Sequence, residues 1–253
     1  MTKIGIIGGS GLDNPDILEN AVDRTVSTHW GAPSAALKHG QIAGVDVVLL
    51  GRHGREHTIT PTHVNYRANV QALKDSGCTH ILATTAVGSL REEIGRGDLV
   101  ILDQFIDFTK QRAMSFHETF APHQPVHTPM AAPFDPDLRA ILISLCTQHG
   151  TPFHPNGTVV TIEGPRFSTR AESRMFRAWG ADVINMSVST EAALANEAGI
   201  AYAAVAMSTD YDCWKTDEAP VSWDAILKVF NSNAEKVTRL LIEAIPLVAM
   251  GQR

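Results

Sequence analysis

Two aspartates, Asp210 and Asp212 in the stretch "STDYDCW", close an almost uncharged apolar run, "GIAYAAVAM". Strand side chains alternate faces, so the spacing predicts two carboxylates pointing the same way. Like charges side by side are costly unless a metal, a basic partner or a donor-bearing ligand answers them. Other reactive residues also follow apolar runs. Ser10 follows "KIGIIGG", Arg52 and His53 follow "VVLLG", and Thr85 follows "HILA". Phe167 and Ser168 come shortly after "VVTIEG", and Ser187 follows "DVINM". Ligands of open α/β sheets bind at the carboxyl ends of strands, so these positions belong to one comparison. Ser10, Arg52, His53, Thr85 and Ser187 make a donor set for an oxyanion such as phosphate. Phe167, Asp210 and Asp212 offer an aromatic face and carboxylate acceptors, the complement of a flat heterocycle carrying N–H groups. An anion and a nitrogenous base on one sheet edge point to nucleoside or nucleotide chemistry.

Taken singly, each residue has a plainer reading: Arg52–His53 as a solvated turn, Phe167 as core, the aspartates as a cap or surface turn. "GGSG" is neither a Walker A loop nor a dinucleotide fingerprint. A D-x-D pair can hold a divalent metal on phosphates. Here Arg52 already supplies a cation and no third carboxylate sits at a matching strand end, so no metal is expected. His53, His57 and His63 surround Gly54 and Pro61 and read as loop.

The scaffold follows from the alternation of short β-branched runs with helical spacings. Strands are predicted in "KIGIIGG", "VDVVLLG", "HILATTA", "DLVILDQFI", "GTVVTIEG", "DVINMS" and "AYAAVAMS". Helices are predicted in "NYRANVQALKDSG", "DPDLRAILISLCTQHG", "STRAESRMFRAWG", "STEAALANEAG" and "SWDAILKVFNSNAEKVTRLLIEAI". Asp135–Pro136 is a good N-cap and first-turn pair, and Gly77 and Gly150 are plausible stops. This order predicts an α/β fold, a mostly parallel sheet with helices on both faces, in one domain spanning 1–253. The segment from Phe108 to Phe134 carries His117, His123, His127 and four prolines without a period, too long for an ordinary connection.

Bulk properties narrow the function. Asp plus Glu exceed Lys plus Arg by 27 to 21, with no basic run, so nucleic acid is a poor partner. Cys78, Cys146 and Cys213 are scattered without C-x-x-C spacing, which suits a reducing cytoplasm. The N-terminus does not read as a signal peptide. No apolar stretch approaches the roughly 20 residues of a membrane helix.

Nearly end to end, the chain resembles the 5'-methylthioadenosine phosphorylases of the trimeric purine nucleoside phosphorylase family. The likeness rests on "IGIIGGSGLD", "GRHGREHTITPTHVNYRAN", "TTAVGSLREEI", "RGDLVILDQFID", "TIEGPRFSTRAE", "MFRAWGADVINM" and "STDYDCW". The resemblance implies an α/β sandwich around a mixed, distorted sheet, and a homotrimer with active sites at subunit interfaces. It implies phosphate contacts at Ser10, Arg52, His53, Thr85, Ala86 and Ser187, and ribose contacts near Met186 and His57. It places Phe167 and Ser168 beside the purine, with Asp210 and Asp212 on the N7 and 6-amino edge. His127, in "VHTPM", is implied to reach a neighbour's 5'-substituent pocket. Three positions depart from the family pattern: Ser10 stands for threonine, "MSVSTE" for "MTTVPE", and Trp223 for a smaller aliphatic residue at the 5' pocket.

The implied reaction is phosphorolysis of methylthioadenosine, with phosphate as co-substrate, no cofactor, and Asp210 as the acid for N7. A 6-oxopurine phosphorylase is the runner-up, though its O6 acceptor mismatches two carboxylates. A nucleoside-binding module without turnover is the alternative from another class, and it would not need Arg52, His53 and the Thr85 loop.

Overall fold

The computed structural model describes residues 2–9, 16–217 and 222–251. Among these, eleven strands form one mixed sheet. In chain order they begin with β1 (Lys3–Gly8), β2 (Glu19–Arg24), β3 (Leu37–Ile42) and β4 (Val45–Gly51). Helix α1 (Tyr66–Asp75) leads to β5 (His80–Ser89), β6 (Leu99–Ile101) and β7 (Gln104–Phe108). Then come α2 (Pro136–His149), β8 (Phe153–His154), β9 (Thr158–Ile162) and α3 (Arg170–Ala178). Strand β10 (Val183–Asn185), α4 (Val188–Glu197), β11 (Ala201–Asp210) and α5 (Trp223–Met250) complete the order. The β1–β4, β1–β5, β5–β11, β6–β8, β7–β9 and β9–β10 pairs are parallel. The β2–β3, β3–β4, β5–β10 and β6–β11 pairs are antiparallel. The sheet is therefore mixed and mostly parallel, as expected.

Strands buried on both faces must be apolar on both, and the central strands are. Ile7, Ile81, Ala83, Tyr202, Ala204 and Ala206 face one core with α1 and α4. Ile4, Ile6, Leu82, Ala203, Val205 and Met207 face the other with α2 and α5. A smaller cluster packs Phe176 of α3 on Val160, Ile162 and Ile184. The predicted caps form: Asp135 accepts from the Asp137 and Leu138 amides, and Gly150 ends α2 in the left-handed conformation. Thr169 and Glu172 make a reciprocal capping box on α3.

Two departures from the sequence reading have physical causes. The run "DLVILDQFI" is two strands, because β6 pairs β11 and β8 whereas β7 pairs β9. Strands β2 and β3 carry no apolar alternation. β2 is exposed throughout, and in β3 Gly40 lets the chain at Leu18–Glu19 pass where a Cβ would meet the Glu19 carbonyl at 2.7 Å.

Strand β5 sets up the site. One of its edges pairs with β11 from His80 to Gly88. The other edge is shared: His80–Ala83 pair with β1, and only Gly88 and Ser89 pair with β10, which runs the opposite way. Between Ala83 and Gly88 that edge has no strand neighbour among the described residues. The carboxyl ends of β1 and β4 reach this gap from one side, those of β9 and β10 from the other.

Candidate active site

A cavity, partly open to solvent, occupies the gap, a concave site of the kind that takes small molecules. Its walls include Arg52, His53, His57, Thr85, Ala86, Met186 and Ser187. Phe167, Ser168, Asp210, Asp212 and Trp223 complete the sequence-predicted residues that line it. One predicted residue is not brought there: His127 is exposed on the segment between Phe108 and Phe134 and does not line its own chain's cavity. Ser10 lies outside the described residues.

At one end sits Arg52, 1 % exposed, just after β4. Its Nε and Nη2 donate to the two carboxylate oxygens of Glu191, the latter at 2.9 Å, and Nη1 donates to the Thr84 carbonyl at 2.9 Å. Glu191, fully buried on α4, also accepts from the Tyr202 hydroxyl at 2.8 Å. Arg52, read from the sequence as a cation for an anion site, has a carboxylate partner of its own. Its charge is answered, and of its five N–H donors three are used within the described residues. Burial alone would lower the Arg52 pKa; the Glu191 carboxylate outweighs it, and the guanidinium stays charged. Gly9 has a matching reason. A Cβ there would lie 2.6 Å from Arg52 Nη1 and 2.7 Å from the Thr84 carbonyl, so only glycine lets the chain leave β1 over this contact.

Thr84 turns its carbonyl into the gap, and backbone groups of a strand repeat on one edge every second residue. The Ala86 N–H therefore faces the same gap. Ser187 is the N-cap of α4, yet its hydroxyl makes no capping bond, which leaves it for the cavity it lines. His53 faces the Ile59 carbonyl through Nδ1 at 2.9 Å. A carbonyl only accepts, so Nδ1 carries the hydrogen. The His53 ring lies 4.5 Å from His57, and His57 lies 5.1 Å from Trp223, the first residue of α5. His57 takes a left-handed backbone, φ 54°, to place its ring in this column.

At the other end are the two aspartates, but not by strand alternation. Pairing with β5 shifts between Ser208 and Asp210, and the strand ends at Asp210. Asp212 follows in a turn at φ 48°. The two carboxylates meet because the chain folds back: the Asp212 amide donates to Asp210 Oδ1 at 2.8 Å. Asp210 Oδ2 accepts from the Thr209 hydroxyl at 2.8 Å. Ser168 donates to both Asp212 oxygens, at 2.7 and 2.8 Å, and Asp212 is 8 % exposed. Gly88 leaves room beneath, since a Cβ there would sit 3.0 Å from Asp210 Oδ1. Burial, with a further push from the Asp212 charge, raises the Asp210 pKa to about 6 against the hydrogen bonds that favour ionisation. Phe167, 41 % exposed, stands at the rim.

The sequence reading missed Glu191, which binds Arg52, and Asn185, Thr209 and Ile226, which line the cavity. Glu191 falls in the helical run "STEAALANEAG", where an acid looks like surface. The carboxylate of Glu163 accepts from the Lys110 and Gln111 amides and pairs with Arg112. It fastens the start of the long segment that carries His127. Among the described residues, no cluster of three or more His, Cys, Asp or Glu is placed to hold a metal. No helix among them is long and apolar enough to cross a membrane.

A cavity end lined by hydrogen-bond donors and an acid pair at its other end, joined across a forked α/β sheet, point to a class. The chain belongs to the phosphorylase superfamily, whose family model matches residues 3–246. Within it the chain falls with the S-methyl-5'-thioadenosine phosphorylases. It is 57 % identical over 250 residues to that of Xenopus tropicalis, covering 98 % of this chain and 89 % of the relative. With that of Anopheles gambiae it shares 54 % over 248 residues, at the same coverage of both chains. A methylthioadenosine phosphorylase from Schistosoma mansoni in complex with adenine superposes with a TM-score of 0.94 at 43 % identity, covering 99 % of this chain and 93 % of that one. A mutant adenosine/methylthioadenosine phosphorylase from the same organism, in complex with methylthioadenosine, gives 0.91 at 42 % identity, covering 98 % and 92 %.

Proposed function

We propose that this chain catalyses phosphorolysis of S-methyl-5'-thioadenosine, giving adenine and 5-methylthio-D-ribose 1-phosphate. The observation that carries the reading is Asp210, a buried carboxyl with a pKa raised to about 6 in the same cavity as the Arg52–His53–Thr85–Ser187 donors. The C1'–N9 bond breaks and its electron pair moves into the purine. Asp210 supplies the proton that N7 takes up, while a phosphate oxygen bonds to C1' from the opposite face. A positioned acid is worth about 10²–10⁴-fold, and holding phosphate against C1' removes roughly 7–11 kcal/mol at best. Arg52, His53, Thr85, Ser187, the Ala86 amide and Ser10 hold the phosphate. Asp212, oriented by Ser168, accepts from the 6-amino group while Phe167 covers the ring. Met186 and His57 flank the ribose. Trp223 and Ile226 give the 5' end an apolar wall suited to methylthio or methyl groups, with 5'-deoxyadenosine and adenosine as secondary substrates. Phosphate is a co-substrate and no cofactor takes part. In this reading residues 1–253 form one domain that works in the cytoplasm as a homotrimer, His127 completing a neighbour's 5' pocket.

The test is a panel of methylthioadenosine, 5'-deoxyadenosine, adenosine, methylthioinosine and inosine, each with and without phosphate, scored by free base. Methylthioadenosine should give the highest kcat/KM, and base release should require phosphate. Preference for inosine, or release without phosphate, overturns the proposal.

A further inference from the structure

Asn185 ends β10 inside the gap, 5 % exposed, and its amide sits in a chain of hydrogen bonds with a fixed direction. The Ser187 N–H can only donate, and it points at Asn185 Oδ1 at 3.4 Å. That end of the amide is therefore the carbonyl. The Thr161 hydroxyl accepts the Ser189 N–H at 3.1 Å and gives its own hydrogen to the same Oδ1 at 2.8 Å. The amino end then faces Thr85 and donates to its Oγ1 at 3.2 Å. Each link passes its hydrogen toward the cavity, from a first-turn amide of α4 through Thr161 and Asn185 to Thr85. The Thr85 hydrogen lies toward the Ala86 carbonyl at 3.1 Å. An anion among Arg52, His53 and Ser187 is a stronger acceptor than that carbonyl.

We propose that Asn185 is a positioning residue for phosphate: by occupying Thr85 Oγ1 as a donor, it obliges the Thr85 hydroxyl to give its hydrogen to the anion. The inference rests on the phosphorolysis reading for the identity of the anion. Bonds linked in one direction strengthen one another, so the relay also carries the polarity of the α4 N-terminus to the phosphate without touching it.

The experiment measures KM for phosphate and for methylthioadenosine, together with equilibrium titration of inorganic phosphate followed by thermal protection. Asn185→Ala should raise the phosphate KM about 5–10-fold, the worth of one hydrogen bond, and leave the nucleoside KM unchanged. Asn185→Asp should raise it further, because a carboxylate takes the Thr85 hydrogen and repels the anion. In a Thr85→Val background, Asn185→Ala should add nothing to the phosphate KM. Thr161→Val, one link back, should give a smaller rise of the same kind and carries the test if Asn185→Ala does not fold. Equal losses for both substrates, or additive effects of Asn185→Ala and Thr85→Val, overturn the role. If the wild-type protein releases no adenine with phosphate, it is the phosphorolysis reading that fails, and the phosphate titration still decides on Asn185.

Discussion

Asp210 was visible in the sequence as an acid closing an apolar run with a like charge beside it, but the way the two meet was not. Its proton affinity comes from burial and from the Asp212 charge, and that neighbour is delivered by a left-handed turn, not by the strand alternation that a D-x-D spacing suggests. The consequence can be measured. With a folded-state pKa near 6, the protonated form dominates below that pH and falls tenfold per unit above it. The kcat/KM for methylthioadenosine should therefore decline as pH rises through about 6. Asp210→Asn should lower it by about 10²–10⁴-fold and abolish that limb. A raised carboxyl pKa also means that ionisation costs stability above pH about 6, a cost relieved as pH falls from there. Near-normal turnover by Asp210→Asn would assign the acid elsewhere. For Arg52 the place in the cavity was legible and the Glu191 partner was not. Removing either member of the Arg52–Glu191 pair strands a buried charge, at about 3–5 kcal/mol. Arg52→Met and Glu191→Leu should each cost that much in urea unfolding, and the double variant clearly less than their sum. Strictly additive costs would show that the two charges do not answer each other.

Elements with a strong internal period were legible: α1, α2 and the buried strands announced themselves through caps and apolar runs. Strands β2 and β3 did not, because what holds them is pairing, β2 on β3 and β3 on β4, rather than an apolar alternation of their own. The beginning of α5 shows how an element places chemistry that its sequence does not advertise. Ser222 caps the helix by accepting from the Ala225 amide, and Trp223 then falls on His57, which lies on His53. The proposed 5' wall and phosphate end thus share one aromatic column. Trp223→Val should broaden tolerance for long 5'-substituents and also raise the phosphate KM by about 2–12-fold, the worth of an aromatic contact. Trp223→Phe should restore most of the phosphate effect. A Trp223→Val variant unchanged in both respects would remove the column from the function.

For the molecule as a whole, the layer order followed from the alternation of strands and helices, whereas the fork at β5 did not, since pairing partners leave no trace in a single strand's sequence. On the proposed reading one chain's cavity lacks a residue the function uses, because His127 is exposed and does not line it. Mixing refolded His127→Ala and Asp210→Ala proteins, each impaired alone, should recover part of the activity through hybrid trimers. Full activity in a verified monomer would rule out shared sites. The fork carries a further consequence, in the exchange of amide hydrogens with solvent. The β5 amides bonded to β1 or β11 are locked into the sheet and should exchange only with global opening. The Ala86 amide faces the gap, where no strand among the described residues shields it. In phosphate-free buffer it should exchange faster than the β5 amides on either side, and added phosphate should slow it selectively. One amide within a buried strand would then report occupancy of the anion site, with no turnover required.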